Sequence, residues 1–297
     1  TYIHTYISYL LLFLSCKMFP MNFNRSIDIE EPVVIPPPPS PFDFKNKVII
    51  ITGACSGIGA AAAMEFAKWG GLLTVVGRNK ENLRVVADKV IDVHDHSPLI
   101  VHADMTKDEE VRHIVEKTIA TYGRIDVLVN SASVIEIGSI ETTTMAQYDR
   151  VMDVNIRAVF QLTSLAVPYL IETKGSIVNV SSVSGLRSIP GVIVYNLSKA
   201  ALDQFTRCIA VELAQKGVRC NSVNPVVDVI DIQKNDDLDN EAYENWLVHS
   251  KTTHALGRKG LEDEVAGVIA FLASSMANSI TGASLPVDGG RHAMCPR

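Results

Sequence analysis

The chain has 297 residues, 47% hydrophobic and 20% charged, with a net charge of −6. That apolar share excludes a disordered chain, a collagen and a coiled coil, and the acidic balance argues against nucleic acid or an anionic membrane as partner. Its five cysteines (Cys16, Cys55, Cys208, Cys220 and Cys295) are odd in number and hold no CxxC pair, so a disulfide framework or a metal site is not expected and a reducing, cytoplasmic compartment fits better.

Tyr2 to Phe19 is apolar and aromatic but interrupted by His4, Ser8, Ser15 and Lys17. A spanning helix needs about 20 mostly apolar residues. A signal peptide needs a basic segment ahead of its apolar run, and none is present. Pro36 to Pro39 is a polyproline-like linker. Residues 1–41 are therefore expected to be an extension outside the fold, with a membrane tether as the lesser alternative, and 42–297 one folded domain.

Within that domain Val48 to Ile51 is a fully apolar run, the mark of a strand buried on both faces. A glycine-rich turn, Thr52 to Gly59, leads into a helix over 60–69. Strand 72–76, helix 79–94 and strand 99–103 follow. Helix 106–122 opens on Thr106 and Glu109, read as a capping box, and strand 125–129 comes next. A long helix is expected over 145–172, with Pro168 near its end. Strand 176–180, helix 194–216, strand 218–223, helix 261–274 and strand 284–287 complete the chain. Strands alternating with helices imply right-handed crossovers and an α/β doubly wound Rossmann fold, a parallel seven-stranded sheet with helices on both faces. Ligands of such sheets bind beyond the carboxyl ends of the strands, at the topological switch point.

Gly53, Cys55, Ser56, Gly57, Ile58 and Gly59 lie between the first strand and the first helix. Glycines there let backbone amides and a helix N-terminus approach a pyrophosphate. The GxxxGxG spacing resembles the short-chain dehydrogenase/reductase family. In dinucleotide-binding folds an acid at the end of the second strand selects NAD. Here Gly77 stands in that place and Arg78 follows, a guanidinium suited to a 2′-phosphate. NADP is thus expected over NAD.

Tyr195 and Lys199 form YxxxK, and i,i+4 spacing puts them on one helical face. A nearby ammonium lowers a phenol's pKa, so the pair could exchange a proton with a substrate oxygen. Ser182, thirteen residues earlier, could hold that oxygen against Tyr195. The order of these residues after the glycine loop resembles the same family over essentially all of 45–297. From Asn155 onward it is similar to the 3-oxoacyl-acyl-carrier-protein-reductase-like members of animals. That resemblance implies further roles. Asn155 would hold a water of a proton relay through its carbonyl, and Lys199 would also bind the nicotinamide ribose. Asp104 and Met105 would meet the adenine, and Asn130, Ala132 and Val226 would border the cofactor. It also implies a tetramer or dimer. The implied reaction interconverts a carbonyl and a secondary alcohol on a small molecule.

The family pattern is broken at Ser131 and Ser133, where it has asparagine and glycine. It is broken again at Val226 and Ile230, where it has glycine and threonine. The expectation is lost sheet ties at Ser131, crowding or strain at Ser133 and strain at Val226. The alternative function that follows is a weakened or inactive reductase fold serving as a binding or scaffold protein. A lid from Val226 to about Thr253, carrying Tyr243, Trp246 and His249, is expected over the substrate.

Overall fold

The computed structural model describes residues 42–94, 96–226, 252–258 and 260–294. The apolar runs become β1 Val48–Thr52, β2 Leu72–Gly77, β3 Leu99–His102, β4 Val127–Asn130, β5 Ser176–Val180, β6 Arg219–Pro225 and β7 Ser284–Val287. Every neighbouring pair is parallel, in the order β3-β2-β1-β4-β5-β6-β7. The order reverses between β1 and β4, which places the switch point where Thr52 and Asn130 end their strands. The helices are α1 Gly57–Lys68, α2 Lys80–Val93, α3 Asp108–Tyr122, α4 Met145–Met152, α5 Ala158–Thr173, α6 Ile193–Leu213 and α7 Glu262–Ala273. The described residues fall within one compact unit, Ser40–Arg297.

A strand covered on both faces must be apolar at every position, and side-chain alternation then divides its residues between two cores. Ile49 and Ile51, with Val127, Val129, Val178 and Val180, pack against α1, α2 and α7. Ile50, Leu128 and Ile177 turn the other way, onto α3, α5 and α6. Each fully buried side chain of this kind contributes about 1.5–3 kcal/mol, so the sheet's crest rests on a rigid base. Met145–Thr173 is apolar and long enough to cross a membrane by composition. Leu162, Ala166 and Leu170 of that stretch are instead buried against the sheet.

Three local expectations change. Helix α1 begins at Gly57, inside the glycine loop, because Ser56 already has extended N-cap geometry. The Thr106–Glu109 capping box does not form. Asp104 Oδ1 accepts from both the Thr106 N–H and its hydroxyl, so α3 starts later, behind Lys107, with Asp108, Glu109 and Glu110 in its first turn to meet the helix dipole. The long helix 145–172 is interrupted by a π turn, Asp153–Arg157, between α4 and α5. Such insertions cluster at functional positions, and this one carries Asn155.

Beside β4, Asp126 accepts from Val48 N–H at 3.0 Å, Arg124 at 2.7 and 2.6 Å and Lys47 at 3.2 Å. Burial raises its pKa, but Arg124, the Val48 N–H and Lys47 outweigh that and hold the carboxyl below its ordinary value. Asp126→Asn is expected to cost about 2 kcal/mol in thermal or urea denaturation, since it leaves buried donors poorly matched. A depressed folded-state pKa stabilises above the unfolded value and loses that effect as pH falls. The gap between wild type and Asp126→Asn should be full at neutral pH and close as the pH drops below 3.8.

Candidate active site

The loops after β1, β4 and β5 meet at the crest, beside Pro225 at the end of β6. Thr52 Oγ1 accepts from the N–H groups of Ser131 and Ala132 at 3.0 and 3.1 Å, clipping the loop after β4 to the glycine turn. Gly59 is required by close approach: a Cβ there would lie 2.3 Å from the Gly53 carbonyl oxygen. Gly57 has the opposite character. Its φ is +54° and nothing lies within 4 Å of where a Cβ would be. Ser56 makes no side-chain cap and α1 has no acid in its first turn. The helix N-terminus thus presents uncapped amides to an open cradle, with Ile58 half-buried beside it. This arrangement fits a dinucleotide pyrophosphate.

At the end of β2, the Cys55 thiol fills the space beside Gly77, where an added Cβ would meet Sγ at 2.2 Å. Cys55 donates to the Asn79 carbonyl at 3.6 Å. A side chain at position 77 is therefore excluded unless Cys55 moves. Arg78 is exposed. Asp104 sits below its ordinary pKa chiefly through the Thr106 N–H, with Arg78 and Lys107 adding to the effect. Arg78 and Asp104 thus share one neighbourhood, and Met105 is buried next to it.

Tyr195 lies in the first turn of α6, and one turn on, Lys199 shares its buried face. The Lys199 ammonium stands 5.4 Å from the Tyr195 ring centroid and donates to the Val180 carbonyl at 2.9 Å. Ser182, at the end of β5, donates to the Pro225 carbonyl at 3.3 Å and accepts from Ser184 N–H at 3.1 Å. The hydroxyls of Ser182 and Ser133 lie near enough to the Tyr195 phenol to favour its ionisation. Asn155 reaches the same loop, accepting from Val134 N–H at 2.8 Å and Ser133 Oγ at 3.2 Å. Ser182, Tyr195, Lys199 and Asn155 are thus brought together and are all buried.

Two expectations are corrected. The ammonium does not bring the phenol down: burial pushes the Tyr195 pKa up to about 12, and the two serine hydroxyls only moderate it. The reason is that Lys199 is itself buried. Its pKa falls to about 8 through desolvation, opposed by the negative charge of Asp203. The predicted strain is also absent. Among the described residues only Asn46 and Lys174 are non-glycine positions with positive φ, so Ser133 and Val226 sit in ordinary backbone. Beside Ser131, Asn130 ties the sheet. Asn130 Nδ2 donates to Asn179 Oδ1 at 2.8 Å, and Asn179 passes the link to Thr206 at 2.8 Å. Ile230 and most of the predicted lid lie outside the described residues.

Sequence reasoning missed Asp203. It repeats the i+4 step from Lys199, a charged residue on an otherwise buried helical face, and that was its available signal. Its carboxylate accepts from Ser222 at 3.0 Å and from Asn224 at 2.9 Å, and Asn224 also donates to the Ser182 carbonyl at 2.9 Å. A cleft of about 550 Å³ lined by Ile140, Leu186, Pro190 and Leu197 flanks this region. Tyr195, Lys199 and Ser182 do not line it.

The family pattern described as enoyl-(acyl carrier protein) reductase matches residues 53–292. A 3-oxoacyl-[acyl-carrier-protein] reductase of Thermotoga maritima is 38% identical over 251 residues, 83% of this chain and 98% of that protein. A meso-2,3-butanediol dehydrogenase of Serratia marcescens is 36% identical over 247 residues, 83% of this chain and 95% of its own. A cofactor-bound short-chain dehydrogenase/reductase of unknown function from Caenorhabditis elegans superposes with TM-score 0.78 at 31% identity, over 85% of this chain and 97% of that one. The parallel sheet, the open glycine cradle at its switch point and these likenesses agree, and the chain belongs to the short-chain dehydrogenase/reductase family.

Proposed function

We propose that the protein is an NADPH-dependent reductase that converts a small-molecule carbonyl into a secondary alcohol. The observation that carries this reading is the buried Tyr195 phenol with the Lys199 ammonium 5.4 Å from its ring, one helical turn behind. A phenol with a pKa of about 12 holds its proton throughout the neutral range, which suits an acid for carbonyl reduction better than a base for alcohol oxidation.

The cofactor would be held by Gly53, Cys55, Ser56, Gly57, Ile58 and Gly59 at its pyrophosphate and by Arg78 at a 2′-phosphate. Asp104 and Met105 would lie at the adenine, with Asn130, Ala132, Tyr195, Lys199 and Val226 toward the nicotinamide end. When bound, NADPH supplies a hydride to the carbonyl carbon. Tyr195 gives its proton to the carbonyl oxygen, completing the alcohol. Ser182 turns its hydroxyl from Pro225 to polarise that oxygen. Lys199 places positive charge near the phenolate that Tyr195 leaves, and Asn155 fixes the loop facing it. NADP over NAD is favoured by Arg78 and by Cys55, whose thiol occupies the room an acid at position 77 needs. The ordinary backbone at Ser133 and Val226 counts against the strain that is one motive for the scaffold alternative.

A homo-oligomer, tetramer or dimer, is supported by apolar surface on α5 and α6. Phe160 is 61% exposed and lies tilted against Phe205 with ring centroids 5.9 Å apart, and Val211 is 79% exposed. A cytoplasmic location is supported by the free thiols of Cys55, Cys208 and Cys220.

Fluorescence titration tests the cofactor reading. NADPH should bind more tightly than NADH, and Arg78→Ala should erase that preference. Failure of both to bind at millimolar concentration would favour the scaffold. The pH profile of kcat/KM tests the role of Lys199, since this ratio reports free-enzyme ionisations. Reduction should decline above about pH 8 as the ammonium deprotonates. Asp203→Asn removes the charge that sustains it, so the decline should move about one unit lower in pH. An unmoved alkaline limb would contradict that assignment.

A further inference from the structure

Ser182 stands where the β5–β6 ladder runs out. Ser181 N–H still reaches the Val223 carbonyl at 2.8 Å, but Pro225, at the end of β6, has no N–H with which to add another rung. Side chains and a tight turn take over. The Ser182 carbonyl accepts from Asn224 Nδ2 and from Gly185 N–H, both at 2.9 Å. Its hydroxyl oxygen accepts from Ser184 N–H at 3.1 Å, while the hydrogen goes to the Pro225 carbonyl at 3.3 Å. The oxygen can therefore keep its place, and only the hydrogen has to swing toward a substrate oxygen.

Asn224 is in turn fixed by its neighbours. Its amide nitrogen donates to the Ser182 carbonyl and to Asp203 Oδ2, at 2.9 Å each. Turned over, the carboxamide would set its oxygen against two acceptors. The Ser222 hydroxyl shares its hydrogen between Asp203 Oδ1 at 3.0 Å and Asn224 Oδ1 at 3.3 Å. The Asp203 carboxylate also closes on the turn after Ser182, since a Cβ at Gly185 would lie 2.5 Å from its Oδ2. Asp203, Ser222 and Asn224 are all buried, where a hydrogen-bonded polar network rigidifies what it joins.

We propose that Asn224, oriented by Asp203 and Ser222, is a positioning residue that holds the Ser182 backbone so that its hydroxyl can serve the substrate oxygen. Asn224 acts through Ser182 alone. This role rests on the reading of Ser182 as the group that polarises the carbonyl.

A double-mutant cycle on the full-length protein, read as kcat for ketone reduction at saturating NADPH, tests this role. Asn224→Ala should lower kcat by about tenfold or more, the scale of a misplaced catalytic group. In a Ser182→Ala background the same substitution should change kcat by less than about twofold, because no hydroxyl remains to be positioned. A merely structural loss would multiply through both backgrounds. Equal factors in the two backgrounds, or wild-type kcat in Asn224→Ala, overturns the proposal. Should Asn224→Ala fail to fold, Ser222→Ala takes its place, since it deletes one hydroxyl and leaves both Asn224 donor bonds. A loss of about two- to fivefold is then expected only while Ser182 is present, and an equal loss without Ser182 overturns the proposal. A wild type that reduces no ketone overturns the functional reading and this role with it, whereas equal factors in an active enzyme overturn this role alone.

Discussion

Tyr195→Phe is expected to lower kcat/KM for carbonyl reduction by about 10²–10⁴-fold, the usual contribution of a positioned general acid, with little change in NADPH affinity. The substitution removes one oxygen and keeps the ring. That ring is buried, and the packing around it should survive. The two serine hydroxyls nearby each keep their own bond, Ser182 to the Pro225 carbonyl and Ser133 to Asn155. A fall in stability of more than about 1–2 kcal/mol is therefore not expected, as no buried group is left bare. Comparing melting temperature, cofactor titration and turnover on one preparation separates loss of chemistry from loss of fold. Turnover equal to wild type would remove Tyr195 from the reaction.

The second large effect concerns the glycine cradle, where two alanine substitutions should fail differently. In Gly59→Ala the new Cβ would lie 2.3 Å from the Gly53 oxygen and 2.7 Å from its carbon. Those are backbone atoms, so the loop itself has to move. Overpacking of this kind costs about 1–3 kcal/mol, and the displaced loop should lose NADPH by at least about tenfold, roughly 1.4 kcal/mol. Gly57→Ala meets nothing within 4 Å, yet its φ of +54° penalises a side chain by about 1 kcal/mol. Its methyl would project into the cradle. It should retain most of its thermal stability while binding NADPH at least about tenfold more weakly. Wild-type affinity in Gly57→Ala would contradict the placement of the pyrophosphate.

The strands were legible because burial on both faces leaves a contiguous apolar signature, as in Val48 to Ile51. The glycine loop and the Tyr195–Lys199 pair were legible because their chemistry depends on short-range spacing. What escaped depends on contacts between distant segments. The π turn at Asp153–Arg157 delivers Asn155 to Val134, in the loop after β4, and no local pattern announces that destination. The Thr106 cap lost to Asp104, a competing acceptor two residues away. Strain at Ser133 and Val226 was inferred from glycine in the family pattern, but the backbone there needs no positive φ. The protonated phenol was missed because i,i+4 spacing shows the ammonium's nearness and not the desolvation that overrides it. Asp203 shows the same limit, since its partners Ser222 and Asn224 come from β6.

The most direct test of the central claim follows the transferred atoms. Protein is incubated with NADPH deuterated at the transferable position and a panel of small ketones, and the products are read by mass spectrometry. The account predicts a secondary alcohol carrying deuterium at the former carbonyl carbon with wild type, and none above background with Tyr195→Phe. Deuterated alcohol in equal yield from both proteins, or NADPH bound with no label reaching any ketone, would contradict it.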